Sequence, residues 1–255
     1  LVLFGLDLAE RVFERVDHRV ELTRAARDGD ALGVGDRPFV VTGPARALLG
    51  AERTALNFLQ RLSGVATQAR RYADACAGTK TRVVDTRKTT PLWRELERHA
   101  VRSGGGNNHR FGLWDEVLVK DNHWRAIREL LEETRCRYFG IKLGSLLRRR
   151  NIPVEVEVGN LQELTHLLQG DFVPDRILLD NFPVRELKRA VLFVDGLDYV
   201  LRSRYKIRRT RPELEASGGI HLSNVRAVAQ TGVERISVGR LTHSAPALDF
   251  SLLLT

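Results

Sequence analysis

Short β-branched segments alternate with helical segments from residue 82 onwards, and no other feature of the sequence constrains the fold as strongly. The helical stretches that follow them include LQELTHLLQ, PVRELKRAVLF and LSNVRAVAQ. Strand then helix, repeated about six times, predicts parallel strands in an α/β fold. The predicted strands are 82–85, 116–120, 153–158, 176–180, 212–216 and 235–238.

Polar residues fall where the predicted strands end. Lys120 ends one strand, Glu157 lies near the end of the next, and Asp180 ends the one after that. In an α/β barrel the carboxyl ends of the strands meet on one face, where catalytic groups gather, whereas a doubly wound sheet places them along a crevice. The pair Gly33 and Gly35 lacks the third glycine and the following helix of a dinucleotide site, which favours the barrel.

The residues before the alternation predict a smaller unit. Residues 1–24 have the spacing of an amphipathic helix, and 38–41 reads as a short strand between turns. A long helix is predicted over 52–76, with a break or a close contact at Gly64. Further helices are expected from about Pro91 and from about Trp124, and the basic segment 136–150 is expected to be an additional surface loop or helix. The apolar face predicted for the first helix consists of Leu8, Val12, Val16 and Val20.

The net charge of +9 and a pI near 10.1 suggest an anionic partner. Phosphorylated or carboxylated small molecules fit better than nucleic acid, because aromatic content is only 7% and no nucleic-acid reading motif occurs. No apolar run is long enough to span a membrane. Cys76 and Cys136 lack paired spacing, so we expect a reduced, cytoplasmic location.

Cations cluster between residues 85 and 123, around three consecutive glycines. Arginines grip carboxylates through two parallel hydrogen bonds, and lysines act as point charges. Ion pairs with Glu95, Glu97 and Asp115 are the alternative explanation of the cluster. The candidate residues in this stretch are Arg87, Lys88, His109, Arg110, Lys120 and His123.

Two glycine loops near the end of the alternation have the character of phosphate sites, or else of simple tight turns. They are Ser217-Gly218-Gly219 and Gly239-Arg240, and backbone N–H groups at glycines can approach a phosphate closely. Glu157 and Asp180 could hold Mg²⁺ or face a sugar that develops positive charge. The alternatives are an exposed strand position for Glu157 and a helix cap for Asp180.

Eight motifs in succession resemble the quinolinate phosphoribosyltransferase family. The resemblance implies an N-terminal α/β sandwich (residues 1–52, completed by 246–255) and an incomplete α/β barrel (53–245). The family pattern usually begins some tens of residues before the segment that starts at Leu1, so the resemblance implies a truncated sandwich. The chain contains no methionine, which leaves two explanations open: Leu1 is not the native start, or methionine is absent for another reason. The motifs are ERTALNFLQRLSG (52–64), DTRKTTP (85–91), GGGNNHR (104–110), VKDNH (119–123), EVEV (155–158), LLDN (178–181), EASGGI (215–220) and SVGRLTHSAPALD (237–249).

The same resemblance implies a reaction. The phosphoribosyl group of phosphoribosyl pyrophosphate passes to the quinolinate nitrogen, pyrophosphate and CO₂ leave, and nicotinate mononucleotide forms for NAD biosynthesis, with Mg²⁺ required. A relative acting on another pyridine, or a paralogue associated with molybdate transport, is the alternative. Retention of the cations that match a second carboxylate argues against the first of these.

Residue roles also follow from the resemblance alone. The catalytic groups would be Lys88, Lys120, Glu157 and Asp180, with Glu157 and Asp180 also facing the Mg²⁺. The quinolinate carboxylates would be held by Arg53, Arg87, His109 and Arg110, with Lys88 and Lys120 near both substrates. The 5′-phosphate would lie at Ser217, Gly218, Gly219, Gly239 and His243. Members are at least dimers, and Arg53 would reach the neighbouring subunit's site.

Overall fold

The computed structural model describes residues 1–120, 122–123, 152–169, 173–205 and 211–253. They form two compact units. Unit 1 consists of Leu1–Ala75, Asp85–Asn108 and Gly239–Thr255, and unit 2 of Cys76–Val84 and His109–Val238. The helix predicted from Trp124 and the segment 136–150 lie outside the described residues. In the part of the chain that is described, no helix is both long enough and apolar enough to cross a membrane.

Unit 1 pairs two antiparallel strands with helices. Its core is formed by the N-terminal segment and the first helix packed against the second helix. The predicted first helix is too long, because it ends at Val16 and the backbone is already extended at Asp17. Of the predicted apolar face, Val12 packs against the core. Val16 is 50% exposed, and Val20 is buried beyond the helix. The elements are α1 (Leu6–Val16), β1 (Glu21–Arg24), β2 (Phe39–Thr42), α2 (Ala45–Ala75) and α3 (Arg94–Ser103), and the buried residues of α1 are Leu6, Ala9 and Phe13.

Helix α2 runs unbroken through Gly64, which marks a close contact instead of a break. A Cβ at Gly64 would lie 1.9 Å from the carbonyl oxygen of Pro246, so only glycine lets the C-terminal segment approach there. A Cβ at Gly104 would likewise lie 2.1 Å from the carbonyl oxygen of Ala66. The backbone of two other segments of unit 1, at Pro246 and at Gly104, therefore packs directly against α2.

Unit 2 contains a six-stranded parallel sheet, and every strand expected from the alternation is present. The helix expected near Pro91 belongs to unit 1 and begins at Arg94. The predicted domains 1–52 with 246–255 and 53–245 stay a prediction. The strands are β3 (Arg82–Val84), β4 (Val117–Val119), β5 (Val154–Val158), β6 (Arg176–Asp180), β7 (Glu213–Ser217) and β8 (Arg235–Ser237), and the helices are α4 (Leu161–Gln169), α5 (Val184–Tyr205) and α6 (Val225–Ala229).

The strand order β3-β8-β7-β6-β5-β4 decides between the two predicted architectures. A doubly wound sheet grows outward in both directions from its first strand, whereas here the first strand of the sheet pairs with the last. Read in a circle, the order follows the chain, with the opening between β3 and β4. This is the order of an incomplete α/β barrel, as predicted.

The two faces of the sheet differ in chemistry, as β5 illustrates. Val154, Val156 and Val158 are buried on one face. Glu155 and Glu157 alternate with them and lie on the other face. A strand buried on both faces usually reads as a continuous apolar run, so acidic residues on one face indicate that this face serves a purpose other than packing.

Candidate active site

Lys120 and Glu157, two of the predicted site residues, are in contact. Lys120 directly follows β4, and its Nζ lies 3.0 Å from Oε2 of Glu157 on β5. The Glu157 side chain is 13% exposed, so its alternative assignment as an exposed strand position is wrong. The backbone N–H of Lys120 donates to Nδ1 of His123 at 3.0 Å, which gives His123 a structural contact.

Asp180 and Ser217 are paired at the ends of β6 and β7. Asn181 follows Asp180 with a φ of 55° and donates from its side-chain amide to Oδ2 of Asp180 at 2.7 Å. Helix α5 begins only at Val184, and Asp180 itself ends β6. The carboxylate is therefore oriented by its neighbour and faces the same sheet edge as Ser217.

The glycine loop after β7 is shaped by its conformation. Gly218 has a φ of 86° and Gly219 a φ of 60°, values that favour glycine. The N–H of Asn181 donates to the carbonyl oxygen of Ser217 at 2.8 Å. A Cβ at Gly218 would lie 2.2 Å from Oδ1 of Asn181, so the loop lies directly against the end of β6. The side-chain amide of Asn224 donates to the carbonyl oxygen of Gly219 at 2.9 Å and holds the other side of the loop.

His109 is enclosed by carboxylates. Its Nε2 lies 3.2 Å from Oε2 of Glu155 and 3.2 Å from Oε1 of Glu215, and both glutamates are fully buried. These glutamates lie on β5 and β7, which are separated by β6 and hence by about 9.5 Å. Their side chains converge on one atom, which indicates that this face of the sheet is concave. The predicted role of His109 at a substrate carboxylate stays a prediction, and Nε2 is engaged elsewhere here.

The ionisation of this triad, defined as His109, Glu155 and Glu215, is set by burial and by mutual contact. Burial and the charge of Glu215 raise the pKa of Glu155 to about 7. Burial also raises the pKa of Glu215, but the hydrogen bond and charge of His109 and the charge of Arg235 outweigh it, so its pKa is lowered overall. Two adjacent carboxylates are thus driven apart in pKa, as expected of like charges that share a site.

The two ring nitrogens of His109 have different surroundings. Burial lowers its pKa, but the two carboxylates raise it further, for a net rise. Nδ1 accepts a hydrogen bond from the backbone N–H of Arg110 at 2.7 Å, which opposes a second proton on the ring. In the neutral ring, that contact favours the tautomer with its proton on Nε2, pointing at the two carboxylates. Arg110 is itself buried, and its Nη1 donates to the carbonyl oxygen of Glu116 at 3.0 Å.

Unit 1 brings together three other predicted residues. A Cβ at Gly239 would lie 3.1 Å from Cδ of Lys88 and 3.0 Å from the ring of His243. The backbone N–H of His243 donates to the carbonyl oxygen of Gly239 at 3.1 Å. The hydroxyl of the buried Thr242 donates to the carbonyl oxygen of Lys88 at 2.7 Å. The loop of Lys88 and the loop that begins at Gly239 are therefore joined.

The remaining predicted cations are exposed. Arg87 lies in the loop of Lys88, and Arg53 projects from α2.

Glu97, one of the acids proposed as a simple partner for the cation cluster, pairs with Arg61 instead. Asp85, which precedes Arg87, is fully buried and accepts a hydrogen bond from the side-chain amide of Asn108 at 2.6 Å.

The carboxylates at the strand ends have the chemistry needed to hold a divalent ion. Mg²⁺ in proteins is held by one or two carboxylates and completed by water and substrate phosphates. Glu157 and Asp180 lie on neighbouring strands and on the same face, because Glu157 is level with Leu178, two residues before Asp180. Oε2 of Glu157 contacts Lys120, and Oδ2 of Asp180 accepts a hydrogen bond from Asn181. The pair fits an ion that shares its coordination with a substrate.

Within the described residues, the group of three side chains close enough to hold a metal by themselves is the triad, which contains neither Glu157 nor Asp180. Glu155, Glu215 and Asn181 were not among the residues predicted from the sequence to form the site. The alternation in EVEV and ELEAS is the signal that places both glutamates on the face of Glu157. A cleft of about 560 Å³ beside α4, lined by His166 and Arg189 among others, contains none of the predicted site residues.

Two models of known protein domains match the chain, one over its N-terminal part and one over the rest. The N-terminal domain model of quinolinate phosphoribosyl transferase matches residues 1–63, and the C-terminal domain model matches residues 65–253. The chain belongs to the quinolinate phosphoribosyltransferase family. The resemblance drawn from the motifs is confirmed at this level.

Individual relatives agree with the family assignment. A nicotinate-nucleotide pyrophosphorylase [carboxylating] of Mycobacterium leprae is 40% identical over 98% of this chain and 82% of its own length. A probable nicotinate-nucleotide pyrophosphorylase [carboxylating] of Bacillus subtilis is 36% identical over 100% of this chain and 80% of its own. The solved nicotinate-nucleotide pyrophosphorylase from Francisella tularensis superposes with a TM-score of 0.80 at 36% identity, covering 97% of this chain and 80% of that one.

Proposed function

We propose that this member of the quinolinate phosphoribosyltransferase family catalyses the reaction that its relatives' names describe. It transfers the phosphoribosyl group of phosphoribosyl pyrophosphate to the ring nitrogen of quinolinate and releases pyrophosphate and CO₂, which yields nicotinate mononucleotide. The observation that carries the proposal is the match of both family domains, which together cover residues 1–63 and 65–253. The arrangement of Lys120, Glu157 and Asp180 at adjacent strand ends supports it.

The charges at the strand ends suit the first chemical step. Departure of pyrophosphate leaves positive charge on the ribose ring, and carboxylates aimed at that charge stabilise the transition state. Glu157 and Asp180 are the carboxylates that we assign to this role, and Lys88 and Lys120 stabilise the departing anion. Mg²⁺, when bound by Glu157, Asp180 and the substrate phosphates, supplies further charge neutralisation on the leaving group.

The second step needs little beyond correct placement. Once ribosylated, the pyridine nitrogen is cationic and accepts the electron pair that remains on the ring carbon when the neighbouring carboxylate leaves as CO₂. That carbon then takes up a proton. We assign the binding of the quinolinate carboxylates to Arg53, Arg87, His109 and Arg110, since guanidinium groups bind carboxylates bidentately.

The phosphate end of the co-substrate is assigned to the glycine loops. Ser217, Gly218 and Gly219 form a loop with two successive left-handed residues, which suits backbone N–H groups turned toward an anion. Gly239 and His243 form the second part of the assignment. A dimer or larger homo-oligomer in the cytoplasm, with the exposed Arg53 reaching a neighbouring subunit, completes the proposal.

The test is an assay of carboxyl-labelled quinolinate with purified protein. Labelled CO₂ and nicotinate mononucleotide are expected in equal amounts, and only when phosphoribosyl pyrophosphate and Mg²⁺ are both present. The matched control replaces quinolinate with nicotinate, which has one carboxylate fewer. Turnover of nicotinate without turnover of quinolinate would reassign the protein to a related phosphoribosyltransferase. Turnover of neither would contradict the proposed activity.

A further inference from the structure

Arg61 of α2 joins three parts of unit 1 through one guanidinium group. Its Nη2 lies 2.7 Å from Oε1 of Glu97 on α3, and its Nη1 donates to the carbonyl oxygen of Ala245 at 2.7 Å. Nη2 also donates to the carbonyl oxygen of Thr242. Helix α2 is thereby connected to α3 and to the segment that follows Gly239.

Glu97 extends these contacts to a second loop. Its side chain is fully buried, and it accepts hydrogen bonds from the backbone N–H of Thr90 at 3.1 Å and from the Thr90 hydroxyl at 2.8 Å. Thr90 lies two residues after Lys88. The pair of Arg61 and Glu97 therefore contacts both the loop that carries Lys88 and the loop that begins at Gly239.

The two loops are also joined to each other at Thr242. Its backbone carbonyl accepts from Arg61, and its hydroxyl donates to the carbonyl oxygen of Lys88 at 2.7 Å. Arg61, Glu97, Thr90 and Thr242 form a continuous network, which we call the loop clamp. Lys88 and His243 lie against Gly239 at the far side of it.

Packing alone does not account for a charged pair at this place. A buried ion pair adds little to stability compared with apolar residues of the same volume, because both charges lose their hydration. A guanidinium group, however, presents five donors in a rigid planar fork and can bind a carboxylate and two carbonyl groups at once. What the pair supplies is a fixed backbone position for both loops.

We propose that Arg61 and Glu97 are positioning residues that hold the Lys88 loop and the Gly239–His243 loop in the geometry needed to bind phosphoribosyl pyrophosphate. The inference rests on the proposed function, in which Lys88, Gly239 and His243 contact that co-substrate. Arg61 and Glu97 act through Thr90 and Thr242 and do not touch the substrate. Displacement of a binding group by about 1 Å can cost two orders of magnitude in rate. Because the two loops are assigned to this co-substrate, loss of the clamp is expected to act mainly on its binding.

The test compares Arg61→Lys with Arg70→Lys. Both residues lie on α2, both changes keep the charge, and Arg70 donates to a loop carbonyl outside the clamp, that of Gly104 at 3.0 Å. A lysine at 61 can keep its ion pair with Glu97 but cannot reach both carbonyl groups. We expect Arg61→Lys to raise the KM for phosphoribosyl pyrophosphate about tenfold or more and to change the KM for quinolinate much less. Arg70→Lys should change neither.

Equal kinetic effects of the two variants, or equal effects of Arg61→Lys on both KM values, would overturn the proposal. Should Arg61→Lys fail to fold, Thr242→Val removes only the hydroxyl that holds Lys88 and is expected to give the same selective rise. Binding of phosphoribosyl pyrophosphate, measured calorimetrically without quinolinate, separates the two claims. Wild type that binds it but makes no product contradicts the proposed function alone, whereas active wild type with an unaffected Arg61→Lys and Thr242→Val contradicts the clamp alone.

Discussion

Nε2 of His109 lies 3.2 Å from Oε2 of Glu155, inside a sheet face where both side chains are almost completely removed from solvent. The contact lowers the pKa of Glu155, but two stronger effects raise it, so Glu155 is the member of the triad that titrates near neutrality. Burial and the neighbouring Glu215 hold the pKa of Glu155 at about 7, above the 4.5 of an ordinary glutamate. The folded protein therefore binds more protons at Glu155 than the unfolded chain does between about pH 4.5 and pH 7.

The sign of the stability effect follows from that difference. Glu155 favours the folded state below pH 4.5, and the stabilisation is lost as the pH rises through about 7. Glu155→Gln mimics the protonated form. Between about pH 4.5 and pH 7, its free energy of unfolding should rise relative to that of wild type by on the order of 1 to 3 kcal/mol. Urea titrations at several pH values measure it. A constant difference between the two proteins would contradict the raised pKa.

Lys120→Ala should abolish most activity at little cost in stability. The lysine side chain is 48% exposed, and exposed ion pairs contribute at most about 1 kcal/mol. The matched control is Lys80→Ala, because Lys80 is 55% exposed and pairs with Glu234 in the same unit. Both variants should unfold within a few degrees of wild type in a thermal scan, and only Lys120→Ala should lose turnover. Normal turnover in Lys120→Ala would remove that lysine from the site.

Gly218→Ala should be more harmful than Gly219→Ala. Both glycines have a positive φ, so alanine is strained at either place by roughly 1 kcal/mol or more. Only at Gly218 does the added Cβ meet an obstacle, 2.2 Å away at Oδ1 of Asn181, whereas nothing lies within 4 Å at Gly219. Chemical denaturation should rank the variants accordingly. Combining Gly218→Ala with Asn181→Gly should recover part of the difference, and a simple sum of the two effects would count against the contact.

Two glycines of α2 should respond to alanine with opposite signs. Gly50→Ala meets nothing within 4 Å and should stabilise the helix by up to about 1 kcal/mol, since alanine is the better helix former. Gly64→Ala places a Cβ 1.9 Å from the carbonyl oxygen of Pro246 and should cost about 3 kcal/mol or more. The free energy of unfolding measures both. A neutral Gly64→Ala would mean that the C-terminal segment does not lie against α2.

The sequence predicted the repeating elements well because their signals are local. Strand β6 was expected at residues 176–180 and occupies Arg176–Asp180. The end of α1 was missed because Val20 has helical spacing from Val16, yet the helix ends before Asp17. Periodicity records which residues repeat, and it does not record where a turn ends the repeat.

The site was predictable as a set of residues and much less as a set of contacts. The strand-end rule selected Lys120 and Glu157, which do meet. It could not select Glu215, whose partner His109 is 106 positions away along the chain and meets it only through the curvature of the sheet. Arg61 likewise reads as one more arginine on a helix until the carbonyl groups it binds are known.

The assembly of unit 1 from three separate stretches has a consequence for how the protein is made. Helix α2 contacts the segment after residue 239 through Arg61 with Ala245, which are 184 positions apart, and through Gly64 with Pro246. During synthesis the apolar residues of α2 leave the ribosome long before that segment is translated. These contacts of α2 can therefore form only after nearly the whole described chain has emerged, and until then the surface that they cover stays exposed.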